Sequence, residues 1–334
     1  MINNIQNDYI NIVLSGDSPV YLGLSVAIKS LIKNCSCYDK LKIYIICEDD
    51  TKLDPIINIV CNNIVVKETL EERRDVSSNS IIKYINASMD LLDSINNNKS
   101  FQSGSLVGKP TSNFNFIRFY FHVLLPRNVN KVIYIDTDMV VKGDITILNN
   151  LLTEEYDIGG VFIKEPYPLK KDNWIINSEL KNNFKFQTLW NAGLFITYLD
   201  RWREKELGKK CMNLIIQNKT TKLFEGGTQV AMNIVFDKCL ALPESYNVCG
   251  LGEIGRDDIS SPPYRRWGPS YDNNVKKANV LHYTGSCKPW LLNENNYLNA
   301  YGEEWWSNLL DVDIDNLKTI VGSDGIQIIH KMKK

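Results

Sequence analysis

The 334-residue chain is 44% hydrophobic and 23% charged, with 38 Lys and Arg against 39 Asp and Glu and a formal net charge of −1. That composition excludes disorder, a collagen repeat, a disulfide mini-scaffold and a coiled coil, and it leaves no global field to hold a polyanion, so nucleic acid is not an expected partner. A chain of this size buries roughly three quarters of its unfolded surface, which predicts one main core.

The opening residues MINNIQNDYINIVLSG carry no basic leader and no apolar run of signal-peptide length. No stretch approaches the ~20 apolar residues of a membrane helix. The cytoplasm is the expected compartment, with the eight cysteines reduced rather than paired.

Ile10 to Leu14 is a short β-branched run closed by Ser15-Gly16-Asp17, after which Leu24, Ile28 and Leu31 recur at the spacing of one helix face. This reads as a strand feeding a helix. Leu41 to Cys47 and Ile64 to Val66 look like buried strands, separated by a weak helical pattern starting near Asp54-Pro55. Ser80 to Ile95 has helical periodicity, and Asn96 to Asn113, rich in Asn, Ser, Gly and Lys, reads as a loop of the kind that serves as a lid. Phe114 to Leu125 predicts an aromatic helix stopped by Pro126, followed by a buried strand from Lys131 to Ile135.

Tyr156 to Ile163 and Ala192 to Thr197 follow as strands, Leu199 to Gln217 as a long helix and Thr228 to Phe236 as a shorter one. Pro243 to Tyr271 is a long Gly/Pro-rich segment, and Ala278 to Leu281 is a last strand pattern. Strands alternating with helices imply an α/β fold with a mostly parallel sheet.

Asp136 and Asp138 stand at i and i+2 just past the VIYI strand. In extended conformation both carboxylates point to one side and can converge on a hard cation such as Mg²⁺ or Mn²⁺ shared with a substrate phosphate. Open α/β sheets bind ligands beyond the carboxyl ends of their strands, which is where this pair falls. A turn with two solvated acids has the same sequence.

The stretch Leu281-His282-Tyr283-Thr284-Gly285-Ser286-Cys287-Lys288-Pro289-Trp290 contains one of only three histidines. A neutral imidazole at His282 could complete a metal site, while Lys288 and the backbone at Gly285 could hold phosphate oxygens. A packed histidine beside a surface lysine is the plainer alternative. In Trp190-Asn191-Ala192-Gly193, small residues permit close backbone approach, and the Asn amide can donate to and accept from a sugar hydroxyl. Gly226-Gly227-Thr228-Gln229 opens a helix with N–H groups, a hydroxyl and an amide but no acid.

Taken in order, the Ile12–Ser30 strand and helix, FIRFYF, VIYIDTDMVVKGDI, WNAGLFITYLDRWR and LHYTGSCKPW resemble the family 8 glycosyltransferases. The last closely resembles that family's H-x-x-G-x-x-K-P-W. The resemblance implies a nucleotide-diphospho-sugar transferase fold of the GT-A type, Rossmann-like with flanking helices. It implies a single catalytic domain over about 1–290, its nucleotide-binding part about 1–142 and its donor and acceptor part about 143–290, with 291–334 as a C-terminal helical extension.

The implied activity is retaining transfer of a hexose, glucose or galactose being the expected sugars, from a UDP-sugar to a hydroxyl of a glycan, protein or lipid-linked acceptor. Carried over by position, Asp136, Asp138 and His282 are the implied ligands of Mn²⁺ or Mg²⁺, and Lys288 with Gly285 the diphosphate contacts. Thr137 lies between the two acids. Arg118 resembles the family's substrate-contacting arginine, and Asn191, Ala192 and Gly193 its donor-sugar contacts. Leu14, Ser15, Gly16 and Asp17 fall where the family's first loop cradles the nucleobase.

The family's D-Q-D helix start matches Thr228-Gln229-Val230 here, so the acid that contacts donor-sugar hydroxyls is absent and the donor sugar is not carried over. Where the family's first loop has Asn and an aromatic, this chain has Pro19 and Val20, with Tyr21 adjacent. Gln229 is a very poor nucleophile beside a carboxylate. The expected route is therefore same-face attack within an ion pair, with Gln229 and Asn191 orienting or electrostatically supporting the sugar.

Tyr264, Trp267 and Tyr271 could stack on an acceptor sugar, with Arg265 and Arg266 for an anionic one. The basic tail IIHKMKK allows at most peripheral membrane contact. The oligomeric state is open.

Two other readings exist. Asp136-Thr137-Asp138-Met139-Val140 also fits the D-x-D-x-[TV] of haloacid-dehalogenase-like phosphatases, with Asp136 as nucleophile and Asp257-Asp258 as a loop-borne magnesium pair. A non-catalytic sugar-nucleotide-binding protein would also account for the missing acid.

Overall fold

A computed structural model describes residues 9–69, 81–87, 113–163, 169–253, 271–291 and 301–334. Its main sheet runs in the order β3 (Ile82–Asn86), β2 (Leu41–Cys47), β1 (Ile10–Gly16), β4 (Lys131–Ile135), β7 (Trp190–Tyr198), β6 (Ile158–Phe162) and β8 (Cys239–Ala241). Every strand but β7 points the same way. β5 (Met139–Val141) and β9 (Val280–His282) form a separate antiparallel ribbon.

The unbroken apolar runs of β1, β2 and β4 follow from burial on both faces. On one face Ile12, Ile43, Ile133 and Ile135 pack under α1 (Tyr21–Lys33) and α2 (Asp50–Thr69). On the other, Val13, Ile46, Val132 and Tyr134 pack with aromatic side chains from 113–125 and with residues of α5 (Leu207–Thr221) and α6 (Thr228–Val235). Each buried Ile or Leu contributes about 1.5–3 kcal/mol against exposure. Trp305 and Trp306 are buried in the first of these cores with Leu317, Ile328 and Ile329 of the C-terminal helical segment Ile314–Met332, which is broken at Gly322 (φ 65°). The apolar residues of the basic tail are therefore core residues.

Three predicted elements differ. Ile64 to Val66 lies inside α2, not in a strand, because a short β-branched run is equally at home in a helix. Ile82–Asn86 is a strand paired in parallel with β2 rather than part of a helix; edge pairing outweighs the weak helical spacing. The expected helix over Leu199 to Gln217 is two, α4 (Leu199–Glu204) and α5, parted at Glu206, whose φ of 51° is left-handed.

The aromatic segment is a 3-10 helix, Asn113–Tyr120, continued by one α-helical turn, α3 (Phe121–Leu124). It ends as predicted before Pro126, with Leu125 extended at φ −81°, ψ 151°. None of the eight cysteines is joined in a disulfide. The stretch Asn96 to Asn113 read as a lid, apart from Asn113 which begins the 3-10 helix, the Asp257-Asp258 pair and the acceptor candidates Tyr264, Arg265, Arg266 and Trp267 lie outside the described residues. Among the described residues no helix is long and apolar enough to cross a membrane.

Candidate active site

The strands end together where the site lies. β1 and β4 are neighbours with Val13 opposite Tyr134, so Ser15 and Gly16 finish beside Asp136. The Ser15 hydroxyl is 3.5 Å from the Tyr134 hydroxyl. Asp17 follows β1 and precedes the 3-10 turn Ser18–Val20. Two glycines allow the close approach of these loops: a Cβ on Gly16 would meet Val20 Cγ2 at 2.6 Å, and one on Gly23 would meet Trp290 at 2.6 Å and the Thr137 carbonyl at 2.9 Å. Leu14 is a core residue with no exposed surface.

His282 reaches the two acids through the β5–β9 ribbon, which sets Met139 opposite His282 and lets the Tyr283 N–H donate to the Asp138 carbonyl at 2.9 Å. Its Nε2 lies 3.1 Å from Asp138 Oδ1 and 3.8 Å from Asp136 Oδ2. One ligand atom from each of the three residues falls within 4.8 Å of the others. Two carboxylates and an imidazole suit a divalent ion such as Mn²⁺ or Mg²⁺. The space for it depends on Gly193, since a Cβ there would meet His282 Cε1 at 2.3 Å and Asp136 Oδ2 at 2.8 Å. The residues present therefore fit a metal.

Burial pushes the Asp138 carboxyl up, but the charges and hydrogen bonds of His282 and Lys288 outweigh it and hold the group well below the usual carboxylate range. Burial lowers the His282 imidazole, but the charge and hydrogen bond of Asp138 together with Cys249 outweigh it and leave its pKa raised to about 10. Lys288 donates to Asp138 Oδ2 at 2.5 Å and to the Tyr283 carbonyl at 2.7 Å. Gly285, at φ 111°, turns the chain between His282 and Lys288.

Arg118, 6% exposed, donates to the Ala192 carbonyl at 2.9 Å, to Asp136 Oδ1 at 3.1 Å and to the Tyr134 hydroxyl at 3.3 Å. It ties the aromatic segment to both the acid and the neighbouring strand. Tyr134, two residues before Asp136 and on the same face, also donates to Asp136 Oδ1.

β7 enters the site by its first residues because it alone runs backwards. The pairing with β6 slips here: Gly160 faces Phe195, yet Val161 faces Asn191 rather than Leu194. On the other edge of β7 the register with β4 runs one step past Ile135 and Leu194, and Gly193 offers its carbonyl to the Asp136 N–H at 2.7 Å. Asn191 Nδ2 and the Ala192 N–H both donate to Gln229 Oε1, at 3.0 and 3.2 Å. Gln229 sits in the first turn of α6 behind the buried Thr228.

Arg118, Asp136, Asp138, Asn191, Ala192, Gln229, His282 and Lys288 thus come together while Leu14 does not, and Asn247 joins them unannounced by any motif. Its Oδ1 is 2.9 Å from His282 Nδ1, and its Nδ2 donates to Asn191 Oδ1 at 2.9 Å. Tyr134 could have been found by its two-residue spacing from Asp136. Asn247, in a short irregular stretch before an isolated bridge from Val248 to Leu281, left no such signal.

A mostly parallel sheet with one reversed strand, carrying an Asp-Thr-Asp at its carboxyl edge, is the GT-A type of glycosyltransferase fold. The solved galactosyltransferase LgtC, in complex with donor and acceptor sugar analogues, superposes with a TM-score of 0.60 at 16% identity, covering 91% of this chain and 96% of that one. The apo form of the glycosyltransferase GlyE of Streptococcus pneumoniae TIGR4 gives 0.56 at 19% identity over 97% of this chain and 64% of that one.

The sequence profile of Glycosyl transferase family 8 matches residues 5–294, and the chain belongs to that family. Among curated relatives, probable galacturonosyltransferase 14 of Arabidopsis thaliana is 25% identical over 85% of this chain and 56% of its own length. The lipopolysaccharide 1,2-glucosyltransferase of Escherichia coli K12 is 25% identical over 52% of this chain and 48% of its own. The chain spans about half the length of the curated relatives it matches. The phosphatase reading is not favoured: Arg118 and Tyr134 both donate to the carboxylate that would have to attack, and the family match accounts for WNAG and the KPW motif together.

Proposed function

We propose that this chain transfers a hexose from a UDP-sugar to an acceptor hydroxyl with retention at the anomeric carbon, using a divalent metal held by Asp136, Asp138 and His282. The observation that carries the reading is the convergence of those three side chains with Lys288 on one side and the Asn191–Gln229 pair on the other. When bound, the metal supplies Lewis-acid stabilisation of the negative charge that develops on the leaving diphosphate.

Lys288 is the cationic side chain beside that leaving group, and it exchanges Asp138 for phosphate oxygens as the donor binds. Asn191 and Gln229 hold the sugar. Gln229 Oε1 accepts two hydrogen bonds from the protein, so its lone pairs are engaged and it is a poor candidate to attack the anomeric carbon. Only its amide N–H₂ is left to meet the substrate. This supports same-face displacement, in which the sugar–diphosphate C–O bond breaks, the acceptor oxygen bonds to the same face, and its proton passes to the departing phosphate oxygen. Ser15, Gly16 and Asp17 are the proposed nucleobase cradle.

The test is release of nucleoside diphosphate from a panel of UDP- and GDP-sugars with Mn²⁺, with and without chelator, for the wild type and Asp138→Asn. Because the relatives and similar structures include a probable galacturonosyltransferase, a glucosyltransferase and a galactosyltransferase, the panel holds UDP-galacturonate beside UDP-glucose and UDP-galactose. Chelator-sensitive release from one UDP-sugar, lost in the variant, supports the reading. Donor binding without release or transfer would make the protein a sugar-nucleotide binder instead.

A further inference from the structure

The polar network behind the metal ligands has a direction, and two peptide groups set it. A backbone N–H can only donate. The Gly193 N–H donates to Asn191 Oδ1 at 2.9 Å and the Ala192 N–H to Gln229 Oε1 at 3.2 Å. Those two contacts settle which end of each side-chain amide is oxygen, and Asn191 Nδ2 then faces Gln229 Oε1 at 3.0 Å.

Asn191 Oδ1 also receives Nδ2 of Asn247 at 2.9 Å. Turned the other way, Asn247 would set two amide oxygens against each other. Its Oδ1 is therefore the atom that faces His282 Nδ1 at 2.9 Å, and an oxygen there requires the imidazole proton on Nδ1. The Cys249 thiol, which donates to the same Oδ1 at 3.1 Å, is consistent with that orientation. Asn247 is 1% exposed, so water does not compete for either end.

We propose that Asn247 is a positioning residue that holds the Nδ1 proton of His282, so that Nε2 is the nitrogen a divalent cation takes, and with its other end fixes Asn191 for the donor sugar. The inference rests on the reading of Asp136, Asp138 and His282 as cation ligands. One side chain thereby sets the angle of the metal ligand and the angle of the sugar contact together. Outer partners of this kind change metal affinity when they are lost.

The test compares full-length wild type, Asn247→Leu and Asn247→Asp by Mn²⁺ titration with electron paramagnetic resonance, by donor KM, and by NMR of ¹⁵N-histidine-labelled protein with and without Mg²⁺. With three histidines in the chain, the hydrogen-bonded Nδ1–H of His282 is assignable. Asn247→Leu is expected to lose that protected signal and bind Mn²⁺ about 10–100-fold more weakly. Asn247→Asp keeps an oxygen toward His282 but sets another against Asn191 Oδ1. It is expected to keep the signal and at least wild-type Mn²⁺ affinity while its donor KM rises.

Wild-type Mn²⁺ affinity and an unchanged Nδ1–H in Asn247→Leu would overturn the proposal alone. If that variant does not fold, Asn247→Asp decides: equal loss of Mn²⁺ and donor affinity overturns it. A wild type that binds no Mn²⁺ yet shows the protected Nδ1–H overturns it by way of the cation reading, so the two failures are told apart.

Discussion

Nζ of Lys288 sits 2.5 Å from Oδ2 of Asp138, so the lysine proposed to meet a diphosphate is already the counter-ion of a proposed metal ligand. On that proposal, metal and lysine would compete for the carboxylate until the donor offered the lysine new oxygens. Lys288→Ala is expected to bind Mn²⁺ at least as tightly as the wild type in the absence of donor, while diphosphate release falls by about 10²–10³-fold. Parallel Mn²⁺ titration and release assays check this. Loss of Mn²⁺ binding in the variant would make Lys288 a prop of the site rather than a donor contact.

Gly193→Ala places a methyl group 2.3 Å from His282 Cε1 and 2.9 Å from Met139 Cε. The ligands must move apart, and overpacking of this kind costs about 1–3 kcal/mol. The expected variant folds with a lowered Tm and has lost Mn²⁺ binding. Gly227→Ala is the control, because a Cβ at Gly227 has nothing within 4 Å. Retained Mn²⁺ affinity in Gly193→Ala would mean that the cation lies elsewhere.

With its pKa raised to about 10, the His282 ring carries both protons at neutral pH in the metal-free protein, and a cation at Nε2 must displace one. Mn²⁺ binding should release about one proton per ion near pH 7.5, and affinity should rise up to about tenfold per pH unit below pH 10. Calorimetry in buffers of different ionisation heat counts the proton. A count of zero would remove His282 from the ligand set.

His122 behaves in the opposite way. Burial, with Arg203 and more weakly Arg127, lowers its pKa from 6.5 to about 4, against the Phe119 carbonyl, which raises it. The fold holds the neutral ring, and the unfolded chain takes up the proton first as pH falls. This contribution to stability is complete above pH 6.5 and is lost as pH falls toward 4. Discounted for partial exposure, it amounts to about 1–2 kcal/mol. Denaturant titrations at a series of pH values should show that slope in the wild type and a flatter one in His122→Gln.

The apolar strands LKIYIIC and KVIYI were legible because burial on both faces leaves no polar interruption, and the D-x-D because its spacing matches a strand end. Ile64 to Val66 misleads because three β-branched residues do not by themselves distinguish a helix's last turns from a strand. Glu206 gives no warning of the break it makes, since glutamate has no particular preference for a positive φ. At the site, His282 and Lys288 were legible through the glycine and proline around them. Asn247 was not, because its role arises from a bridge between Val248 and Leu281 that brings distant segments side by side.

The ribbon of β5 and β9 is three residues long on each strand, yet it carries His282 to the acids across nearly half the chain. Loop-closure entropy grows with the length of chain enclosed, so bringing His282 to the two acids is one of the costlier long-range contacts in the fold. An ion taken up there would act as a fastener between the early and late parts of the chain, slowing amide hydrogen exchange across Val140 and Leu281, which face each other in the ribbon.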